Sequence, residues 1–352
     1  MISLLLSSTS GRHLLTLALV AGLVGPVAGQ SRVSTSAAQF LTLGTGARGS
    51  ALGHAYTATV TGADALFWNP AGASRITGGG NRGSLFLSHS EWLADINYNA
   101  VGLVVPVTES GVAGLSLAQL DYGRMDVRTE AFPEGTGETF GSSDIVVGLS
   151  YSQPLTNSFF IGSTLKFVRQ AIYDMSAQTM AFDIGFVLVS DYLRGLRLAA
   201  SIMNFGGRMQ MGGVNSRIFV DIDQTNEGSN IALPAQLETA SWDLPLAFKF
   251  GAALPVISTN SIRLEVFSDA NQTNDNDLNA DLGSELRFFL GSVNLDLRAG
   301  YKDFPLDTSD SHLTLGGGID LNLSSIKLAA DFAYIPFEKL GHVSVLDIKL
   351  FF

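Results

Sequence analysis

The chain contains no cysteine. That excludes disulfides, thiolate metal sites, a cysteine nucleophile and a lipid-modified cysteine behind an export signal. Charged residues are scarce, at 15%, where soluble domains carry about 25%. Long apolar runs are missing too: beyond the N-terminus no stretch reaches the ~18 uncharged apolar residues that a spanning helix needs. Basic residues are the minority, 21 Lys and Arg against 32 Asp and Glu for a net charge of −11. Such an acidic chain is a poor binder of phosphate backbones, so no nucleic-acid partner is expected.

What is present sits oddly with those absences. Hydrophobic residues make up 46% of the chain and the mean hydropathy is positive, which excludes disorder. Only one spanning architecture is apolar on average without any long apolar window. It is the β-barrel, whose alternation dilutes each segment. The 38 glycines follow no fixed period, which excludes collagen and suits turns and close strand packing.

Arg12 and His13, the apolar run Leu14 to Val27 and the small residues Val27-Ala28-Gly29 form an export signal over residues 1–29, with Gln30 a plausible first mature residue. The expected destination is therefore beyond the inner membrane.

Period-2 alternation dominates the C-terminal half. Leu278, Ala280, Leu282, Leu286, Phe288 and Leu290 oppose Asn279, Asp281, Glu285 and Arg287. The pattern recurs with Leu295 and Leu297 against Asp296 and Arg298, with Ile319 and Leu321 against Asp320, with Leu328 and Phe332 against Lys327 and Asp331, and with Leu346, Ile348 and Leu350 against Asp347 and Lys349. About fourteen such segments run from residue 83 to 352, each near the ~10 residues that cross a bilayer as a tilted strand. The first two, at 83–90 and 95–106, are blurred because both faces are apolar. Connectors alternate short and long, and the longest are Asp121–Ser143 and Phe205–Asp243. The fold expected is all-β, a transmembrane antiparallel up-and-down β-barrel (83–352) preceded by an N-terminal plug or hatch (30–82), with both termini on the periplasmic side.

The plug segment is rich in small residues, as a stretch lying close to a barrel wall requires. It has no phosphate-loop match. Asp64 to Phe67 reads as a short helix stopped before Pro70. The ordered run Ala37-Ala38-Gln39-Phe40-Leu41, Gly46-Ala47-Arg48, Ala51-Leu52-Gly53 and Ala63-Asp64-Ala65-Leu66-Phe67-Trp68-Asn69-Pro70-Ala71-Gly72 resembles the N-terminus of the PorV/PorQ family of outer-membrane proteins. Asn69-Pro70-Ala71 also looks like the plug motif of FadL-type long-chain fatty-acid transporters. The resemblance implies a FadL-like fourteen-strand barrel with an N-terminal hatch. It further implies a link to type IX secretion, with secreted cargo or secretion-system components as partners beside outer-membrane lipid and the barrel-assembly machinery.

Several residues carry two readings. The lumen-facing charges Arg263, Glu265, Glu285, Arg287, Asp296, Arg298, Asp320, Lys327, Asp331, Asp347 and Lys349 are of mixed sign on consecutive strands, so mutual pairing is favoured over a selectivity lining. Arg48, alone between Arg32 and Asp64, calls for a lumen carboxylate or strand-end carbonyls, or else an anionic ligand. Phe67 and Trp68 pack the hatch on the wall or line a hydrophobic pocket. Phe352 resembles the C-terminal aromatic read by barrel-assembly machinery. Histidine spacing shows no metal motif, no G-x-S-x-G occurs, and neither catalysis nor a cofactor is expected. The apolar content of the 205–243 loop suggests a folded cover or a docking surface. The leading functional reading is a non-enzymatic PorV/PorQ-type barrel assisting secretion or surface attachment. The alternative is a FadL-type channel for hydrophobic small molecules such as long-chain fatty acids, and a third is a purely structural barrel. A lumen sealed by paired charges would count against transport; an apolar pocket beside Phe67 and Trp68 would count for it.

Overall fold

A computed structural model describes residues 35–76, 83–190, 195–221, 232–306, 311–323 and 325–352. The expected export signal lies outside the described residues. Fourteen antiparallel strands form a closed barrel. They are β1 Ser84–Glu91, β2 Asn97–Pro106, β3 Val112–Asp126, β4 Thr139–Pro154, β5 Phe159–Ile172, β6 Met175–Val189 and β7 Arg197–Gly206. The second half comprises β8 Ala247–Ser258, β9 Ile262–Thr273, β10 Asn279–Leu290, β11 Val293–Phe304, β12 Leu313–Asn322, β13 Lys327–Phe337 and β14 Gly341–Phe351. Each strand pairs with the next, and β1 closes on β14 from Ser84↔Phe351 to Glu91↔Ser344. No helix among the described residues is long and apolar enough to cross a membrane.

The alternation sorts as the strand pattern demands. Outward positions carry large exposed hydrophobics such as Leu149, Phe250 and Leu297, the belt that a strand barrel presents to lipid. Inward positions carry Asp183, Glu285, Asp296, Arg298 and Asp331, all buried. The blur in β1 and β2 has a physical cause. Phe86, Tyr98, Ala100 and Val104 point inward and are buried, yet they meet plug rather than water.

Connections divide between two ends. One holds turns such as 107–111 and 291–292, and the other holds the longest connectors together with the tight turns 173–174 and 338–340. Two long connectors are more ordered than their composition suggests. β3 and β4 continue past a register shift at Asp121/Arg124, where Gly123 adopts φ 73°, and pair as far as Asp126↔Thr139. The loop between them therefore shrinks to 127–138. The connector from β7 to β8 contains two ribbons, Met209–Gln210 with Ser241–Trp242 and Arg217–Val220 with Leu233–Gln236. Met209 is buried in it, whereas Phe219 is 77% exposed; Ile222 lies outside the described residues.

Candidate functional site

Residues 35–76 thread the barrel from the long-loop end to the short-turn end. At the long-loop end Ala37 N donates to Asp243 O (2.8 Å) and Ala38 N to Gln170 Oε1 (3.0 Å). Ser36 Oγ and Gln39 Nε2 both donate to Asp275 Oδ2 (2.5 Å each). Burial opposes ionisation of Asp275, but these hydrogen bonds outweigh it and hold the carboxyl below its ordinary value. At the other end Ser152 Oγ donates to Ala71 O (3.2 Å), and Gly83 pairs with Phe352 in both directions. The described chain thus begins at one end of the barrel and finishes at the other. The plug runs through the lumen rather than folding back within it.

Between those anchors the segment forms short turns of helix, Ala47–Ala51 and Ala65–Trp68, with 3-10 turns at Gly62–Asp64 and Pro70–Ser74. The expected stop before Pro70 is seen: Asn69 is extended, at φ −158° and ψ 104°. Its side chain is a three-way tie. Oδ1 accepts from Ala71 N, while Nδ2 donates to Thr57 O and to Phe186 O on β6, all at 3.2 Å. Opposite it stands Gly185, where any Cβ would collide with the Asn69 amide. Small residues serve the same end elsewhere, and Gly300 on β11 lies against Leu52 and Gly53 so closely that a Cβ would overlap their backbone. Pro70 and Ala71 press on Gly162 of β5, and Gly72 packs against Val60 and Ala65 inside the plug.

The wall answers the plug with charge. Arg48 forms a two-pronged pair with Glu285, Nε–Oε2 3.0 Å and Nη2–Oε1 2.9 Å. Arg298 meets Glu285 (2.6 Å), Asp296 (2.8 Å) and Asp331 (2.7 Å). Arg287 meets Asp296 (2.7 Å) and Asp320 (3.3 Å), and Lys327 also meets Asp320 (2.8 Å). Lys349 bridges Asp331 (3.3 Å) and the plug's Asp64 (2.7 Å). Asp64 in turn accepts from Tyr56 Oη (2.7 Å). Asp347 accepts from Ala47 N (2.5 Å). The structure thus brings Arg48, Asp64 and nine of the eleven lumen charges into one lattice over β10–β14. Arg263 and Glu265 stand apart, nearer the short-turn end, with Arg197 on Glu265 (2.5 Å).

Phe67 and Trp68 divide their duties. Trp68 Nε1 donates to Thr45 O (2.7 Å), and its ring stacks edge-on with Tyr56. Phe67 packs on Phe86, with centroids 5.7 Å apart. Both also line a cavity of about 350 Å³ that opens at the long-loop end. Its walls mix Leu41, Leu43, Met203 and Phe337 with Lys249 and Asp281, and the Lys249 ammonium lies 5.0 Å from the Trp68 ring centroid. A second cavity of about 430 Å³ lies at the short-turn end, under Thr61 and Arg75. The plug stands between them. Among the described residues no group of His, Asp and Glu is placed to hold a metal ion.

Sequence reading missed several partners. Asp269 accepts from Tyr56 N (3.1 Å) and Thr57 N (2.9 Å), pinning the plug to β9. Its parity with Arg263 and Glu265 was the available signal. Lys166 and Asp183 form a buried pair (2.6 Å) across β5 and β6. Arg75 and Arg197 carried no signal, since one lies past the plug motif and the other at a strand start.

No protein-family model matches the chain, and no curated protein matches it by sequence. Solved structures do match. The CymD monoaromatic hydrocarbon channel aligns with 88% of this chain and 97% of its own, at a TM-score of 0.55 and 13% identity. A Pseudomonas aeruginosa FadL homologue aligns over 88% and 98%, at 0.53 and 11%. The Pseudomonas putida toluene transporter TodX aligns over 86% and 96%, at 0.51 and 10%. The chain therefore has the FadL-like fold, a fourteen-strand barrel with an N-terminal segment of short helices. At this identity the likeness is one of fold, and the finer likeness to PorV/PorQ rests on the plug residues alone.

Proposed function

We propose that the protein is a non-enzymatic outer-membrane channel for small hydrophobic or amphipathic molecules, gated by its plug. The observation that carries this reading is the pair of cavities on opposite sides of residues 45–75, the outer one reaching Phe67 and Trp68. The outer recess mixes apolar walls with many polar groups, which suits an amphipathic rather than a purely apolar molecule. Two neighbours of the same fold are a monoaromatic hydrocarbon channel and a toluene transporter. In this reading the long loops face outward, the short turns face the periplasm, and Phe352 at the short-turn rim serves barrel assembly.

The charge lattice ties the plug to β10–β14, while the outer cavity is walled by β7 to β13, from Met203 and Lys249 to Asp281 and Phe337. A recess bounded by the plug on its inner side is compatible with a gate. The test is flux into protein-loaded liposomes. A hydrophobic fluorescent probe, N-phenylnaphthylamine, should enter faster than into protein-free vesicles; equal rates would remove transport.

The secretion-assisting reading has one observation of its own. The long-loop ribbon exposes Val214, Phe219, Leu237 and Trp242, a form suited to a protein partner. A deletion strain scored separately for secreted surface proteins and for hydrophobic uptake separates the two readings.

A further inference from the structure

Guanidinium groups in this lumen are matched by carboxylates almost everywhere. Arg298 alone touches three. The cavity at the short-turn end is the exception. Among its described lining residues Arg75, Arg197 and Arg263 share one acid, Glu265. Arg197 Nη2 lies 2.5 Å from Glu265 Oε2, and Arg263 Nη1 lies 3.8 Å from Oε1. Among the described residues Arg75 has no carboxylate in its hydrogen bonds. It is only 8% exposed, donates to Ala58 O (3.1 Å) and Val60 O (3.5 Å), and lies 5.7 Å from the Phe160 ring centroid. Arg197 Nε is buried and, among the described residues, has no hydrogen-bond partner. Three cations, one anion and an unused buried donor leave a site short of one oxyanion.

The walls say what the oxyanion is attached to. Phe160, Val189 and Pro255 line the same cavity. Over Leu254–Ser258 strand β8 pairs with β9 but, among the described residues, not with β7. The cavity thus sits at a seam in the barrel rim. We infer that this vestibule is a binding site for the oxyanion head, phosphate or carboxylate, of an amphiphile whose tail lies on Phe160 and Val189. The ligand arrives from the adjacent leaflet as a phospholipid, or through the barrel as a small acid. The site stands whether or not the barrel transports.

The test uses the full chain in a neutral detergent, with hexyl phosphate and hexyl glucoside titrated by calorimetry. Hexyl phosphate should bind at least about tenfold more tightly, and Arg263→Gln should weaken it by about tenfold or more, as loss of one charge-assisted contact implies. Arg263 is the variant of choice because its side chain is 44% exposed and makes the longest contact to Glu265; Arg75→Gln is the second. Gel mobility before and after boiling checks that each barrel is folded. In nanodiscs, native mass spectrometry should find phosphatidylglycerol retained over phosphatidylcholine if lipid is the source. Retention of neither lipid, with hexyl phosphate still bound, assigns a small acid. Equal affinity for the phosphate and the glucoside, or unchanged binding in a folded Arg263→Gln barrel, overturns the site.

Discussion

The side-chain amide of Asn69 lies 3.2 Å from the carbonyl oxygen of Phe186, and through this contact the plug motif grips the wall. The same amide group caps the turn at Pro70 and holds Thr57 O. Replacement by Ala leaves buried backbone groups unpaired at both ends. Asn69→Ala should cost about 1–3 kcal/mol, read as a lower urea midpoint for the folded barrel in detergent. An unchanged midpoint would show that the motif is incidental.

Gly300 is a matter of space. Its Cα faces Leu52 and Gly53 with no room for a methyl group. Gly300→Ala should displace the plug locally, at about 1–3 kcal/mol. Hydrogen exchange at residues 48–56 should rise while that of β1–β4 stays the same. Uniform exchange across the barrel would mean that the glycine supports the strand instead.

Arg298 holds three buried carboxylates together. Arg298→Met strands them, and breaking a buried pair from one side costs about 3–5 kcal/mol. The folded fraction on semi-native gels should fall sharply. Adding Glu285→Gln to Arg298→Met should recover part of the loss by removing one stranded charge, although it also deprives Arg48 of its partner. No recovery would mean that packing, and not charge, sets the cost.

The clasp of Ser36 and Gln39 on Asp275 should respond to acid. The carboxyl is lowered in the folded state, so its contribution is fully present above the ordinary value of 3.8. It is lost as pH falls through the lowered folded value. Amide protection of residues 36–43 should persist at pH 5 and fade below about pH 4. In Asp275→Asn it should be weak already at pH 7. A variant with wild-type protection at both values would detach the clasp from the carboxylate.

Strand number and facing were legible because alternation is a local property. Leu295, Leu297 and Asp296 declare their sides without help from the rest of the chain. Legibility failed where one residue answers to two surfaces. Phe86 and Tyr98 face inward yet are apolar, because they touch the plug. It failed again where pairing is distant in sequence. Nothing near Ser36 announces Asp275, so the direction of the plug through the lumen could not be read. Arg48 and Asp64 could be marked as needing partners, but choosing Glu285 and Lys349 among the lumen charges required the register of β10 and β14.

The central claim is that ligand passes only when the plug moves. The chain has no cysteine, so an introduced pair is the sole thiol couple. A Cβ at Gly102 on β2 would lie 3.4 Å from that of Ala63 in the plug, close to the ~3.8 Å mean of disulfides, and 2.8 Å from the Ala63 carbonyl oxygen, so the plug must shift slightly to admit the bridge. Probe flux through the Ala63→Cys, Gly102→Cys barrel should be measured in liposomes, first oxidised and then reduced. The account predicts flux near the protein-free rate when the bridge is closed, recovering on reduction. Equal flux in both states, with the disulfide confirmed by mass, would contradict it.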